Sequence, residues 1–345
     1  MNSYIVLLFS ILFLLFLTFK GIIKNYNSVT ADNYFSMKQT NWLRGLAIIG
    51  IAYSHYMVRL DINNKYLWQI GFLGVFGVAI FLFLSGYSAM ISFNNKPNYL
   101  KGYIPKRLTR LYVPFIISFV IYSIVLLLTG YKFTLFNVVD IFILSLPSTL
   151  NWYLKVQLAL YILFYVYTKF IRKQNILLLV TYLSCFIYMI IGITTGIENF
   201  WYESCYMFPL GMTFAIYKEK IFKYLNCKYL IKFITSCLIF VLTYIPVYLF
   251  GGVFSEIIFV LGFIQFMLVS CVRFVGDSRL TVFFGVCSLE FYLSHTISPN
   301  IIDEFYKGQE NLLVFVIFIV LSSLIAIIIK KLSGLINDYL GRIIK

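Results

Sequence analysis

RGLAIIGIAYSHYM, residues 44–57, places an arginine near the start and a histidine near the end of an otherwise apolar run. Extended to Leu43 and Leu60, the run approaches the ~20 mainly apolar residues needed to cross a bilayer as a helix. In hydrocarbon a segment must satisfy its own backbone hydrogen bonds, so an apolar run of this length is read as a helix. The surrounding chain has the same character. Of its 345 residues 61% are hydrophobic and 12% are charged, with a mean hydropathy of +0.89. Soluble domains carry about 25% charged residues, so lipid is the expected solvent. Eleven apolar stretches qualify: 4–23, 43–60, 71–92, 112–130, 154–171, 176–196, 203–218, 231–250, 256–273, 281–298 and 312–331. The expected fold is all-α, a polytopic transmembrane helical bundle of about 10–11 spans. Residues 1–37 are expected to form an extra N-terminal span and linker, and 38–345 a single membrane-embedded domain. The stretch 4–23 lacks a positive residue ahead of it and a small-residue cleavage site, so it reads as a retained span.

A net charge of +15 would point a soluble chain toward nucleic acid. Here the cations fall in short clusters between apolar runs and form no groove-sized stripe, which argues against a nucleic-acid partner. Clusters at Lys20–Lys38, Lys96–Arg110, Lys169–Lys173, Lys218–Lys232, Arg273–Arg279 and Lys330–Lys345 share one side of an alternating eleven-span topology. The positive-inside rule makes that side cytoplasmic, with the N-terminus outside and the C-terminus in the cytoplasm. Opposite loops are poor in base or acidic, as at Glu198 and Glu203. Trp42, Trp68, Trp152 and Trp201 lie at predicted span edges, where amphipathic rings favour the interface. Residues 131–153, interrupted by Asp140 and Pro147, are expected to re-enter or lie along the outer side without spanning. Six cysteines without CxxC spacing and only two histidines leave no expected metal site.

His55 is the ionisable group at membrane depth, and such a group is a functional hypothesis by default. A neutral imidazole can take a proton from a hydroxyl; a structural histidine bonded to a neighbouring helix is an equally good reading. Arg44 lies eleven residues earlier, three turns and about 20° around a helix. The two share one stripe about 16 Å apart along the axis, so Arg44 acts at a mouth while His55 acts deeper. Alone, Arg44 is a positive-inside flank. Arg107 and Arg110, in PKRLTRLYVP, share a helical face as a forked donor pair suited to phosphates; a plain basic loop carries the same residues. His295 in FYLSHTISP and Glu290, five residues earlier, complete the ionisable groups inside apolar sequence. Glu290 is either a partner for a basic residue or a proton-handling group.

Taken together, these motifs resemble the bacterial acyltransferase-3 family of integral membrane O-acyltransferases over residues 38 to 331. The pattern comprises Arg44 followed by ten residues and His55, then GVAIFLFLSGY from Gly77 to Tyr87, then Arg107 and Arg110 ahead of Tyr112 and Pro114. NWYLKVQLALY around Trp152 and the late Tyr292–His295 complete it. The resemblance implies transfer of an acyl group, most often acetyl, from cytoplasmic acyl-CoA to a hydroxyl of a cell-surface glycan or lipid-linked glycan, in the bacterial cytoplasmic membrane. No bound cofactor is implied beyond the acetyl-CoA or other acyl-CoA donor, and membrane lipids are the remaining partners. His55 and Arg44 take the catalytic positions, Arg107 and Arg110 hold the donor's phosphates, and Ser85, Trp152, Gln157, Glu290 and His295 support them. Many members carry a glutamate where this chain has Gln157, which cannot carry charge. A transporter or flippase of a lipid-linked glycan is the competing reading from another class.

Overall fold

The computed structural model describes residues 29–59, 71–130, 139, 142–145, 151–276, 278–306 and 312–343. The predicted span 4–23, Trp68, Asp140 and Pro147 lie outside the described residues. The ordered elements are helices: α1 (Met37–Arg59), α2 (Phe72–Asn95), α3 (Tyr103–Leu128), α4 (Trp152–Phe170), α5 (Gln174–Thr195), α6 (Met207–Asn226), α7 (Tyr229–Phe250), α8 (Val253–Ser270), α9 (Arg279–Val286), α10 (Ser288–Ser294), α11 (Ser298–Tyr306) and α12 (Leu312–Ile343). One 3-10 turn, Asn199–Trp201, precedes α6. The fold is an all-α, multi-pass membrane bundle.

Every predicted span from 43–60 onward has a helical counterpart. Among the described residues α2, α3, α5, α7, α8 and Leu313–Leu340 of α12 are long and apolar enough to cross a membrane. Helices α1, α4 and α6 match the stretches 43–60, 154–171 and 203–218 but are less apolar, because they carry Arg44 and His55, Lys155 and Gln157, and Lys218 to Lys223. The polar groups are the cost of placing chemistry inside the bundle.

Burial sorts the helices. In the apolar window of α2, 72% of residues are buried, against 11% in α7, so α2 is central and α7 presents its apolar surface outward. Lipid gives apolar side chains no reason to leave it, so helices associate through close backbone approach at small residues. Helix α2 packs closely on α6 and α1, and α1 on α9. At the α2–α6 crossing a Cβ on Gly86 would overlap the carbonyl oxygen of Phe208, and one on Gly211 that of Phe83. At the α1–α9 crossing Gly45 and Gly285 lie against the carbonyls of Thr281 and Asn41 in the same way. Outside this frame the contacts are aromatic: Phe76 stacks on Phe263 at 4.1 Å, tying α2 to α8.

Three details go beyond the expectations. The stretch 281–298 is not one straight helix. It breaks at Cys287, whose φ of −104° and ψ of 17° leave the helical region, and the segments on either side are bent by 74°. Trp42 packs inside the protein: α1 begins at Met37, more than a turn earlier, and the indole is buried against Gly276. The last residues of the predicted linker also belong to the core. Tyr34 and Phe35 are buried, the Tyr34 hydroxyl donates to the Leu268 carbonyl at 2.7 Å, and the Phe35 N–H donates to Gln39 Oε1 at 2.8 Å.

Candidate active site

Helix α1 carries a polar centre at each end. Near its C-terminal end His55 lines a cavity of about 600 Å³, together with Ser54, Gly74, Trp152, Phe200, Glu203, Tyr292, His295 and Thr296. The bend at Cys287 makes this possible, because it turns α10 so that His295 reaches back to α1. His295 Nε2 and His55 Nδ1 are 3.3 Å apart, with the rings tilted by 65°. The two imidazoles differ in access. His295 is 2% exposed, whereas His55 is open to the cavity. Among the described residues the buried Nδ1 of His295 completes no hydrogen bond. Which imidazole donates in the pair depends on the tautomer; with His55 Nδ1 donating to His295 Nε2, the Nε2 lone pair of His55 stays free.

The other centre gathers cations. Arg44 Nη1 donates to Asn41 Oδ1 at 3.2 Å, and its guanidinium lies within electrostatic reach of Arg107, Arg110, Tyr153 and Tyr161. Arg107 and Arg110 both fall within α3, which starts at Tyr103, earlier than the expected 112. Their environments differ. Arg110 is exposed. Arg107 is half-buried: it donates to Tyr99 Oη at 2.9 Å and Tyr161 Oη at 3.5 Å, and lies 4.5 Å from the Tyr161 ring centroid. Three cations this close repel one another unless an anion or hydroxyl dipoles offset the charge. Ser85 belongs to this end, donating to Tyr161 Oη at 2.9 Å. Glu290 sits with the cations as well, interacting with Lys330 and Arg110.

Tyrosines connect the centres. The Tyr292 ring lies 5.4 Å from His295 and 5.4 Å from Tyr153. The Tyr153 hydroxyl donates to Gln157 Oε1 at 3.2 Å, and Gln157 is buried with its Nε2 unpartnered. Trp152, at the first turn of α4, faces the cavity 5.4 Å from Phe200. The structure therefore brings His55, His295 and Trp152 together, and separately Arg44, Arg107, Arg110, Ser85 and Glu290; Gln157 lies in neither group. Tyr153 and Tyr161 are additions, with Gln157 between them at a spacing of four residues on each side, a polar helical stripe visible in the sequence.

Glu203 is the other addition. It lies in the turn before α6, outside the membrane-spanning helices, and is 5% exposed. Burial, then a hydrogen bond and charge repulsion from Glu256, push its carboxyl up to about 8. Among the described residues no three His, Cys, Asp or Glu side chains come together as metal ligands would.

An imidazole pair at a cavity, a separate cationic centre and a glycine-packed helical frame make up the polar interior of this membrane bundle. A family model described as an acyltransferase domain matches residues 37–331, and the chain belongs to this acyltransferase-3 family. It is a membrane acyltransferase. Comparison with curated proteins and with solved structures gave no match.

Proposed function

We propose that the chain transfers an acetyl group from cytoplasmic acetyl-CoA to a hydroxyl of a bacterial cell-surface glycan, with His55 as general base. The observation carrying this reading is the pairing of an accessible His55 with the buried His295, on a helix whose other end holds Arg44 beside Arg107 and Arg110. The donor's phosphates bind the three arginines, where charge-assisted bonds to a planar fork are strongest. The thin pantetheine arm passes along Tyr161, Tyr153 and Tyr292 and carries the thioester toward His55.

The reaction then follows from the tautomer. His55 Nε2 removes the proton of the acceptor hydroxyl as its oxygen attacks the thioester carbonyl. The C–O bond forms, the C–S bond breaks, and the proton on Nε2 passes to the thiolate, giving the ester and free CoA. The imidazolium formed on the way keeps its Nδ1–H on His295 Nε2. General acid–base groups of this kind contribute about 10²–10⁴-fold. The loop charges support a plasma-membrane orientation with the arginine centre in the cytoplasm and the His55 cavity toward the outside.

The test is transfer from radiolabelled acetyl-CoA into the glycan fraction of membranes carrying the wild-type chain or His55→Ala at equal abundance. The expected result is labelling by wild type and a loss of at least about 10²-fold in the variant. Equal labelling by both would remove His55 from the mechanism. Labelled glycan moved across the membrane without new ester would return the reading to a glycan transporter.

A further inference from the structure

The segment between α5 and α6 has no role in the donor path, yet it forms one wall of the His55 cavity through Phe200 and Glu203. Phe200 and Trp201 lie in the 3-10 turn with ring planes 25° apart, and Phe200 continues to Trp152 on α4 at 5.4 Å. These rings give the cavity an apolar, π-rich side. The polar side is made by Glu203, His55, His295 and Thr296. Glu203 interacts with Glu256, in the first turn of α8. A buried carboxyl group beside a second one is costly to hold, and a hydrophobic contact there would serve the fold better. The place of Glu203 in the wall of the cavity that His55 lines points to a ligand.

The combination restricts what that ligand is. An acyl chain gains nothing from a carboxyl pair. A flat nucleobase would stack, but would leave the carboxyl groups without a row of hydroxyl donors. A pyranose ring fits both sides: its axial C–H bonds carry partial positive charge and favour the negative face of an aromatic ring, while its hydroxyls donate to a carboxyl oxygen.

We propose that Trp152, Phe200 and Glu203 form the acceptor subsite, holding a pyranose ring against the two aromatic faces. A ring hydroxyl donates to Glu203 next to the hydroxyl that His55 deprotonates. This rests on the reading of the chain as a glycan acyltransferase and makes Glu203 its acceptor-specificity residue. Glu256 positions Glu203 through the interaction between their carboxyl groups.

The test measures binding without any acyl donor. The full chain in lipid nanodiscs is titrated with methyl β-D-glucopyranoside, methyl α-D-mannopyranoside and methyl α-L-rhamnopyranoside, with glycerol as the acyclic polyol. Saturation-transfer NMR reports which ring face is contacted. Wild type is expected to bind at least one pyranoside better than glycerol, with transfer concentrated on the C–H bonds of one face. Glu203→Ala and Phe200→Ala are each expected to weaken binding about tenfold or more. Glu203→Gln is expected to recover most of the loss by keeping a hydrogen-bonding oxygen, and Phe200→Trp to bind at least as well as wild type. Unchanged acetyl-CoA binding shows that the variants are folded. The subsite is overturned if no pyranoside exceeds glycerol, or if Glu203→Ala binds like wild type in folded protein. Pyranoside binding without acetyl transfer would overturn the proposed reaction and leave the subsite standing.

Discussion

Replacing His295 tests the histidine pair where it matters, in the transition state. In the resting site the contact is a neutral bond of 3.3 Å between rings tilted by 65°, at the long end for a hydrogen bond and contributing about 1 kcal/mol. When His55 accepts the acceptor's proton it becomes an imidazolium, and the same bond becomes charge-assisted, about 1.5–3 kcal/mol. The gain on charging is about 0.5–2 kcal/mol, so at about 1.4 kcal/mol per tenfold His295→Ala should lower kcat about two- to thirtyfold. The bond strengthens only as charge develops, so KM for acetyl-CoA should stay unchanged. His295→Gln, whose amide oxygen can stand near the position of Nε2, should restore part of the rate. The assay is the initial rate of label transfer from acetyl-CoA in membrane vesicles, normalised to folded protein. An unchanged kcat in His295→Ala, or a loss confined to KM, would refute the assignment of roles within the pair.

Three further outcomes are expected. Arg107→Lys keeps the charge but loses the fork held by Tyr99 and Tyr161, so KM for acetyl-CoA should rise about tenfold with little change in kcat. Gly86→Ala drives a methyl into the Phe208 carbonyl and should destabilise the bundle by about 3 kcal/mol or more, seen as a lower midpoint of thermal unfolding in detergent; Gly334→Ala, which meets open space, should leave the midpoint unchanged or higher. Because folding raises the Glu203 carboxyl to about 8, the native chain binds more protons than the unfolded one from the ordinary carboxylate range up to pH 8. Stability contributed by this group is therefore highest in acid and is lost as pH rises through that window. Melting between pH 5 and pH 9 should show the decline, and Glu203→Gln should flatten it.

The sequence made the helices legible wherever an apolar run reached bilayer length, because the backbone then has only one way to satisfy itself. It also marked His55 and Arg44 on one stripe, since both lie on one unbroken helix. The break at Cys287 was illegible: no proline interrupts 281–298, and the two segments pack on different partners, α9 on α1 and α10 on α12. The His55–His295 pair depends on that bend and joins residues 240 apart, so spacing along the chain carried no trace of it. Glu203 was misread for a related reason. Counting loop charges assigns an acid to the outer side and says nothing of whether the loop folds inward. The stripe of Tyr153, Gln157 and Tyr161 is available in the sequence at helical spacing.

Helix α1 meets both its neighbours through bare backbone, at Gly45 and Gly285 on one side and at Gly77 against the Ala47 carbonyl on the other. A rod held that way can neither roll nor slide without first coming apart from both. It behaves as a ruler, with the arginine centre and the imidazole as its two fixed marks. Glu203 and Phe200 are mounted on a connecting turn instead, held by side-chain contacts such as Tyr202 against Gly192. On the proposed function, the ruler is where the donor is measured and the turn is where a change of acceptor would be made.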